Sequence, residues 1–247
     1  IFRHFVFHYH SLPFNQLRKQ YGLPSLGLDL RRVYTDADYT LYADIPQLVP
    51  THDLPDNHCY VGPTLWSPTC PLPDWWNSLP EDRPIVYVTL GSSGRCGLLP
   101  LALKALVNMP VTVIAATAGR DLPEQVSPNA FVADYLPGEE AARRSALIIS
   151  NGGSQTSYQA LAQGKPVIGI PSNLDQYLNM HYLQQAGVGS TIRAGLATPE
   201  KIASSARKIL ELPRQAHEAQ QVMRSILDYP AARIFDDLIN RAYRNRP

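Results

Sequence analysis

Cysteine is scarce in this sequence: Cys59, Cys70 and Cys96 are few, scattered and odd in number. That excludes a disulfide framework and predicts a reducing compartment, the cytoplasm. Positive charge is never concentrated. The formal net charge is +1, and no Lys/Arg cluster reaches the density of a nucleic-acid footprint, so a nucleic-acid partner is not expected. Long apolar runs are missing too. Stretches such as residues 166–171 are far too short to span a bilayer, and residues 1–10 (IFRHFVFHYH) are broken by Arg and His, unlike a secretory signal. The sequence contains no Gly-x-Ser-x-Gly elbow, no Walker-type Gly-Lys-Ser/Thr and no Gly-x-Gly-x-x-Gly run. These gaps argue against a serine hydrolase of the elbow type, a P-loop enzyme and an ordinary dinucleotide dehydrogenase.

What is present has a clear rhythm. From residue 84 onward, apolar runs rich in β-formers alternate with helical stretches. Residues 85–90 (IVYVTL), 111–117 (VTVIAAT), 130–136 (AFVADYL), 147–150 (LIIS) and 166–170 (PVIGI) read as strands, apolar on both faces. Residues 98–108, 139–145, 156–163 and 174–186 read as helices, followed by 199–210, 214–227 and 231–243. Thr198-Pro199-Glu200 has the residues of a helix start. The alternation predicts an α/β fold with a doubly wound, Rossmann-like parallel sheet. Residues 1–65 hold a short helix at 13–22 closed by Gly22 and two strands near 38–43 and 58–61, too few for a sheet of their own. Six prolines between residues 63 and 84 predict an extended linker without regular structure. The linker also carries Trp66, Trp75 and Trp76, expected to pack it onto a domain in preference to forming a stacking platform for a sugar or base. We therefore expect a remnant of a preceding α/β domain at 1–65, a linker at 66–84, a ligand-binding domain at 85–227 and a returning helix at 228–247. Because residue 1 is Ile and the first ten residues resemble the interior of a packed domain, a further segment is expected upstream.

The most informative stretch is 147–176, LIISNGGSQTSYQALAQGKPVIGIPSNLDQ. A buried strand runs into Asn151-Gly152-Gly153-Ser154, a helix follows, and a second strand ends in Pro171 ahead of Asp175-Gln176. Paired glycines let backbone N–H groups approach a ligand closely, and the helix start adds a partial positive charge. Ser154 and Thr156 add hydroxyl donors, so the combination suits a phosphate. Polar loops at residues 91–94 and 135–138 end two other strands, where ligands bind in open parallel sheets.

Taken together, these motifs resemble the C-terminal half of a GT-B-fold nucleotide-sugar glycosyltransferase of the bacterial macrolide-type and UDP-glucuronosyltransferase-like family. The likeness covers residues 85 to about 189 well and 13–84 less specifically. It implies that Asn151, Gly152, Gly153, Ser154 and Thr156 bind the diphosphate, with Ser92 and Ser93 approaching from the other side. Tyr135 and Leu136 would read the base, Gln159 would meet the ribose, and Asp175 and Gln176 would hold the transferred sugar. The resemblance implies hexosyl transfer from a UDP- or dTDP-sugar to a hydroxyl of a small-molecule acceptor, with inversion and no cofactor. The one Asp-x-Asp segment, Asp36-Ala37-Asp38, lies outside residues 85–189, and the metal-gripping variety is not expected. In this family the general base is a histidine of the N-terminal domain, and none of the seven histidines here stands at the matching place. Two departures stand out. Asn151 replaces the usual His and Gln159 an often-found Glu; a charge-assisted bond is roughly twice as strong as a neutral one, so donor affinity or leaving-group stabilisation is expected to be lower. A non-catalytic nucleotide-sugar binder, a UDP-sugar epimerase or a lipid-linked sugar transferase on the same fold are the competing readings. His4 and His8 have helical spacing, but without Cys or carboxylate support they are not expected to hold zinc.

Overall fold

A computed structural model describes residues 2–67, 69–91, 95, 97–121 and 126–244, the side chains of 2–4 excepted. The chain divides into two compact units. One comprises residues 1–43, 51–61 and 232–247, and the other residues 44–50 and 62–231.

The first unit opens with helix α1 (Phe2–Gln20), which carries Pro13 inside it. The expected helix at 13–22 is thus the second half of a longer one. Its first half gave no signal, because histidine and aromatic residues have middling helix propensity. The C-terminus closes as the sequence suggests. Gly22 sits at φ +70°, its N–H donates to Lys19 O at 3.1 Å, and the Leu23 N–H donates to Arg18 O at 2.9 Å. That is the double closure in which a left-handed glycine satisfies the last carbonyls of a helix. Strands β1 (Thr40–Tyr42) and β2 (His58–Tyr60) pair in parallel, and Tyr42 Oη and His58 Nδ1 share a hydrogen bond of 2.8 Å.

The second unit is built on β3 (Ile85–Thr89), α2 (Leu98–Leu106), β4 (Thr112–Ala116), β5 (Ala130–Ala133), α3 (Gly138–Arg144), β6 (Leu147–Ser150), α4 (Ser154–Ala162), β7 (Val167–Gly169), α5 (Leu174–Gln185), β8 (Gly189–Thr191), α6 (Pro199–Glu211) and α7 (Arg214–Leu227). A last helix, α8 (Ala231–Arg244), lies mostly in the first unit. The six strands form one parallel sheet in the order β5-β4-β3-β6-β7-β8. Alternate residues of β3 to β7 enter opposite apolar layers. Tyr87, Ile114 and Ile148 meet α3, α4, α5 and α7, while Val86, Val113 and Ile149 meet α2 and α6. This double burial is why the strands read as continuous apolar runs.

Two features depart from the sequence reading. Strand β8 was not expected, since a three-residue strand beginning with glycine looks like a loop. Gly189 is required there because a Cβ would lie 2.9 Å from Leu183 Cβ. The proline-rich segment also holds regular structure, a 3-10 helix at Asp74–Ser78 with Pro73 at its N-cap. Between Pro73 and Pro80 no proline interrupts, so one short turn can form. Trp76 is buried there beneath the Arg144 guanidinium, and Trp75 packs on Phe131 with ring centroids 5.5 Å apart. Trp66 behaves differently, with 65% of its surface exposed.

The strand order reverses at β3. The chain moves outward through β4 and β5, then returns to the opposite side of β3 as β6. The crevice beyond the carboxyl ends of β3 and β6 is therefore the switch point, where open parallel sheets bind ligands.

Candidate functional site

Strand β6 ends in Ser150, and the next three residues turn tightly into α4. Gly152 adopts φ +82°, which a side chain rarely tolerates, and a Cβ there would fall 2.6 Å from Met180 Cγ. The turn is held by its own side chains: the Gly152 N–H donates to Ser150 Oγ at 3.0 Å and the Gly153 N–H donates to Asn151 Oδ1 at 3.0 Å. The two glycine amides that the sequence pattern offers to a phosphate are therefore engaged inside the turn. The carbonyls are tied down too. Gly152 O accepts from Asn179 Nδ2 at 2.8 Å, and Gly153 O accepts from Ser157 Oγ at 2.8 Å.

Available donors begin one residue later. Gly153 is the N-cap of α4 and supplies no side chain. The first intrahelical bond runs from Ser157 N to Gly153 O at 3.1 Å, so the amides of Ser154, Gln155 and Thr156 have no partner within the helix. Ser154 is exposed and Thr156 half-buried at the same end. Amides, hydroxyls and the helix dipole thus converge on one spot, an arrangement that favours an anion. Asn151 is 7% exposed, with its Nδ2 within 3.2 Å of where a Cβ on Gly91 would sit. Gly91, at φ +58°, starts the loop after β3 and lets the two loops approach closely. Ser92 and Ser93, expected on this side, lie outside the described residues, as does Cys96. A cavity of about 420 Å³ opens at the ends of β3 and β4, lined by Gly91, Arg95, Thr117, Gly119 and Arg120 among others.

Tyr135 is half exposed, and its hydroxyl lies over Gly119, where a Cβ would approach it to 2.6 Å; Leu136 next to it is buried. Gln159 turns away from solvent and donates through Nε2 to Trp66 O at 2.6 Å and Ser67 Oγ at 3.0 Å. Gln155, one turn earlier, donates to the same Trp66 carbonyl at 2.5 Å, and Glu139 N at the start of α3 donates to Ser67 Oγ at 3.2 Å. Residues 66 and 67 are consequently pinned across the starts of α3 and α4. The Gln159 side-chain oxygen rests against Gly138, at a position a Cβ would occupy.

Helix α5 carries the third group. Its N-cap is Asn173, whose Oδ1 accepts from Gln176 N at 3.0 Å. Asp175 is exposed in the first turn. Gln176 is only 2% exposed, and its Oε1 accepts from Ser172 N at 2.9 Å, so it braces the loop after β7. Asp175 and Asn179 lie one turn apart on a shared face, and Asn179 touches the Gly152 turn. This brings the face of α5 that carries Asp175 to the α4 start. Asn179, Ser157, Gln155 and Ser67 had no signal in the sequence. Their partners lie far away in the chain for all but Ser157, and no local pattern encodes such contacts.

Among the described residues no cluster of His, Cys, Asp or Glu could hold a metal ion, and no helix is long and apolar enough to cross a membrane.

Residues 101–239 match the family model described as "Erythromycin biosynthesis protein CIII-like, C-terminal domain". The chain is 57% identical over 210 residues to a PGL/p-HBAD biosynthesis glycosyltransferase of Mycobacterium tuberculosis strain H37Ra, covering 85% of this chain and 49% of that protein. It is 54% identical over 208 residues to a PGL/p-HBAD biosynthesis rhamnosyltransferase of Mycobacterium bovis strain BCG, covering 84% and 46%. It thus spans about half the length of these curated relatives. Among solved structures, the spinosyn rhamnosyltransferase SpnG complexed with thymidine diphosphate superposes with a TM-score of 0.70 at 22% identity, covering 90% of this chain and 60% of that one. That likeness is one of fold.

Proposed function

This chain belongs to the erythromycin biosynthesis protein CIII-like family through its C-terminal domain, and on that premise we propose that it forms the donor-binding half of a glycosyltransferase. The reaction moves a hexosyl group from a nucleoside diphosphate sugar to a hydroxyl of a small-molecule acceptor, with inversion at the sugar carbon. The carrying observation is the start of α4. Three helix amides without partners in the helix, with Ser154 and Thr156, converge beside the switch point of a parallel sheet.

In this reading the diphosphate rests on the amides of Ser154, Gln155 and Thr156. The Gly152 and Gly153 amides shape the turn and are not its main donors. As the sugar–oxygen bond breaks, negative charge grows on the departing phosphate. Donors already aimed at it stabilise that charge without reorganising, a contribution of about 3 kcal/mol per donor in other enzymes. Asp175 accepts from sugar hydroxyls, while Gln176 fixes the loop beneath it. Tyr135 provides an exposed ring for the base. Gln159, buried with its amide on Trp66 O and Ser67 Oγ, shapes the ribose side by holding residues 66 and 67 in place. The names of the relatives support a rhamnosyl group and an acceptor of the PGL/p-HBAD kind, and the complex of SpnG supports thymidine diphosphate as the carrier. We place the reaction in the cytoplasm, as the scattered cysteines suggest, and without a metal, because the one Asp-x-Asp segment, Asp36-Ala37-Asp38, falls outside the unit that carries the donor site.

Asn151, where the family commonly has His, favours a second reading, a nucleotide-sugar binder that does not turn over. Calorimetric titration with thymidine diphosphate and with its rhamnosyl ester separates the outcomes. Binding of both, with Asp175→Ala weakening the sugar ester and sparing thymidine diphosphate, supports the donor site. No binding of either ligand overturns it. If the full chain binds donor well and Asn151→His brings no gain in transfer, the binder reading prevails.

A further inference from the structure

Resting on that donor-site reading, we infer that Asn179 is a positioning residue that holds the carbonyls of the Gly152–Gly153 turn away from the anion. One amide group makes two bonds at once: Nδ2 donates to Gly152 O at 2.8 Å and to Ser157 Oγ at 2.9 Å. Ser157 passes its own hydroxyl proton to Gly153 O at 2.8 Å. Both carbonyls of the paired glycines are thereby satisfied by a three-membered network whose centre, Ser157, is fully buried.

The network matters because of what glycine permits. Two consecutive glycines can rotate the peptide between them at little steric expense, and a rotated peptide would turn a carbonyl dipole toward the site. A carbonyl facing a diphosphate repels it, cancelling much of what the helix amides supply. Asn151 Oδ1 holds the Gly153 N–H end of that peptide from within the turn, and the Gly152 carbonyl end is held from outside it. Helix α5 supplies that outer hold through Asn179, next to Met180, whose side chain fills the space a Cβ on Gly152 would need. The helix that bears Asp175 therefore also sets the geometry of the turn, so sugar recognition and phosphate binding share one mechanical element.

The test compares thymidine diphosphate with thymidine, which lacks the phosphates, by calorimetry and ligand-observed NMR on the full chain. Asn179→Leu should weaken thymidine diphosphate roughly tenfold, the scale of losing a buried hydrogen-bond pair, and leave thymidine within about twofold. Ser157→Ala should act in the same direction, and the double variant should lose less than the product of the two factors because both break one network. If Asn179→Leu does not fold, Ser157→Ala carries the comparison alone. Equal weakening of both probes, or thymidine diphosphate affinity within twofold of the parent, overturns the assignment. A parent chain that binds neither probe overturns the donor-site reading and this assignment with it.

Discussion

Replacing Asn151 by Asp changes one atom in the turn and almost none of its shape. The carboxylate keeps an acceptor for the Gly153 N–H, the bond that closes the turn at 3.0 Å. What changes is the other end, where an NH2 donor becomes an anionic oxygen beside Gly91 and the start of α4. Folding stability should therefore stay within about 1 kcal/mol, helped by the favourable interaction of a carboxylate with a helix N-terminus. Binding should not survive so well. A lost hydrogen bond costs about 1 kcal/mol, and one pair of like charges at about 5 Å adds roughly 3 kcal/mol at an effective dielectric of 20. Together these predict a loss of about 10²–10³-fold in affinity for thymidine diphosphate at pH 7. The loss should shrink with added salt. It should also shrink as pH falls, because burial and the neighbouring diphosphate both raise the new carboxyl's pKa and protonation removes the repulsion. Calorimetric titrations at two pH values, paired with urea unfolding, make the check. Affinity within about threefold of the parent in a folded Asn151→Asp protein would refute the placement of a diphosphate at this turn.

Three further outcomes follow from particular contacts. Gly152→Ala must adopt φ +82° and meets Met180 Cγ at 2.6 Å, so it should lose about 2–5 kcal/mol, whereas Gly153→Ala, at φ −69°, should lose under about 1; equal losses in urea unfolding would contradict the geometry. Gln159→Glu sets a carboxylate against the Trp66 carbonyl and should lower the melting temperature by more than about 4 °C while speeding amide exchange around residues 66 and 67; unchanged exchange would count against the clamp. Burial pushes the Tyr87 phenol up to about 12, so the unfolded chain loses that proton first. The stability it confers is complete below pH 10 and is lost as pH rises from 10 to 12, by about 2 kcal/mol, and Tyr87→Phe should remove this difference in alkaline unfolding titrations.

Legibility in the sequence followed the range of the interactions. Strands β3, β4, β6 and β7 announced themselves because both faces are buried and every residue is apolar or small. The start of α6 was readable because its cap is local, with Thr198 Oγ1 accepting from Lys201 N at 3.3 Å. The glycine turn after β6 was readable for the same reason. Strand β8 and the first half of α1 were not, since short glycine-led strands and aromatic helices resemble loops. The site divides along the same line. That a polar turn opens α4 is written in four consecutive residues. That Gln176 faces inward, that Gln159 grips Trp66, or that Asn179 holds Gly152 depends on packing across 4 to 93 positions of chain, and no periodicity carries it.

Met180 has a consequence for how this segment can change over time. Its side chain occupies the space that a Cβ would need at Gly152 and at Gly169, and its methyl lies 3.1 Å from where one would sit on Gly189. Gly169 is blocked by this thioether alone, whereas Gly152 is also kept by its φ of +82° and Gly189 by Leu183 Cβ at 2.9 Å. Relatives with a smaller residue at the equivalent of 180 should be the ones that admit alanine at 169, and these two sites should vary together.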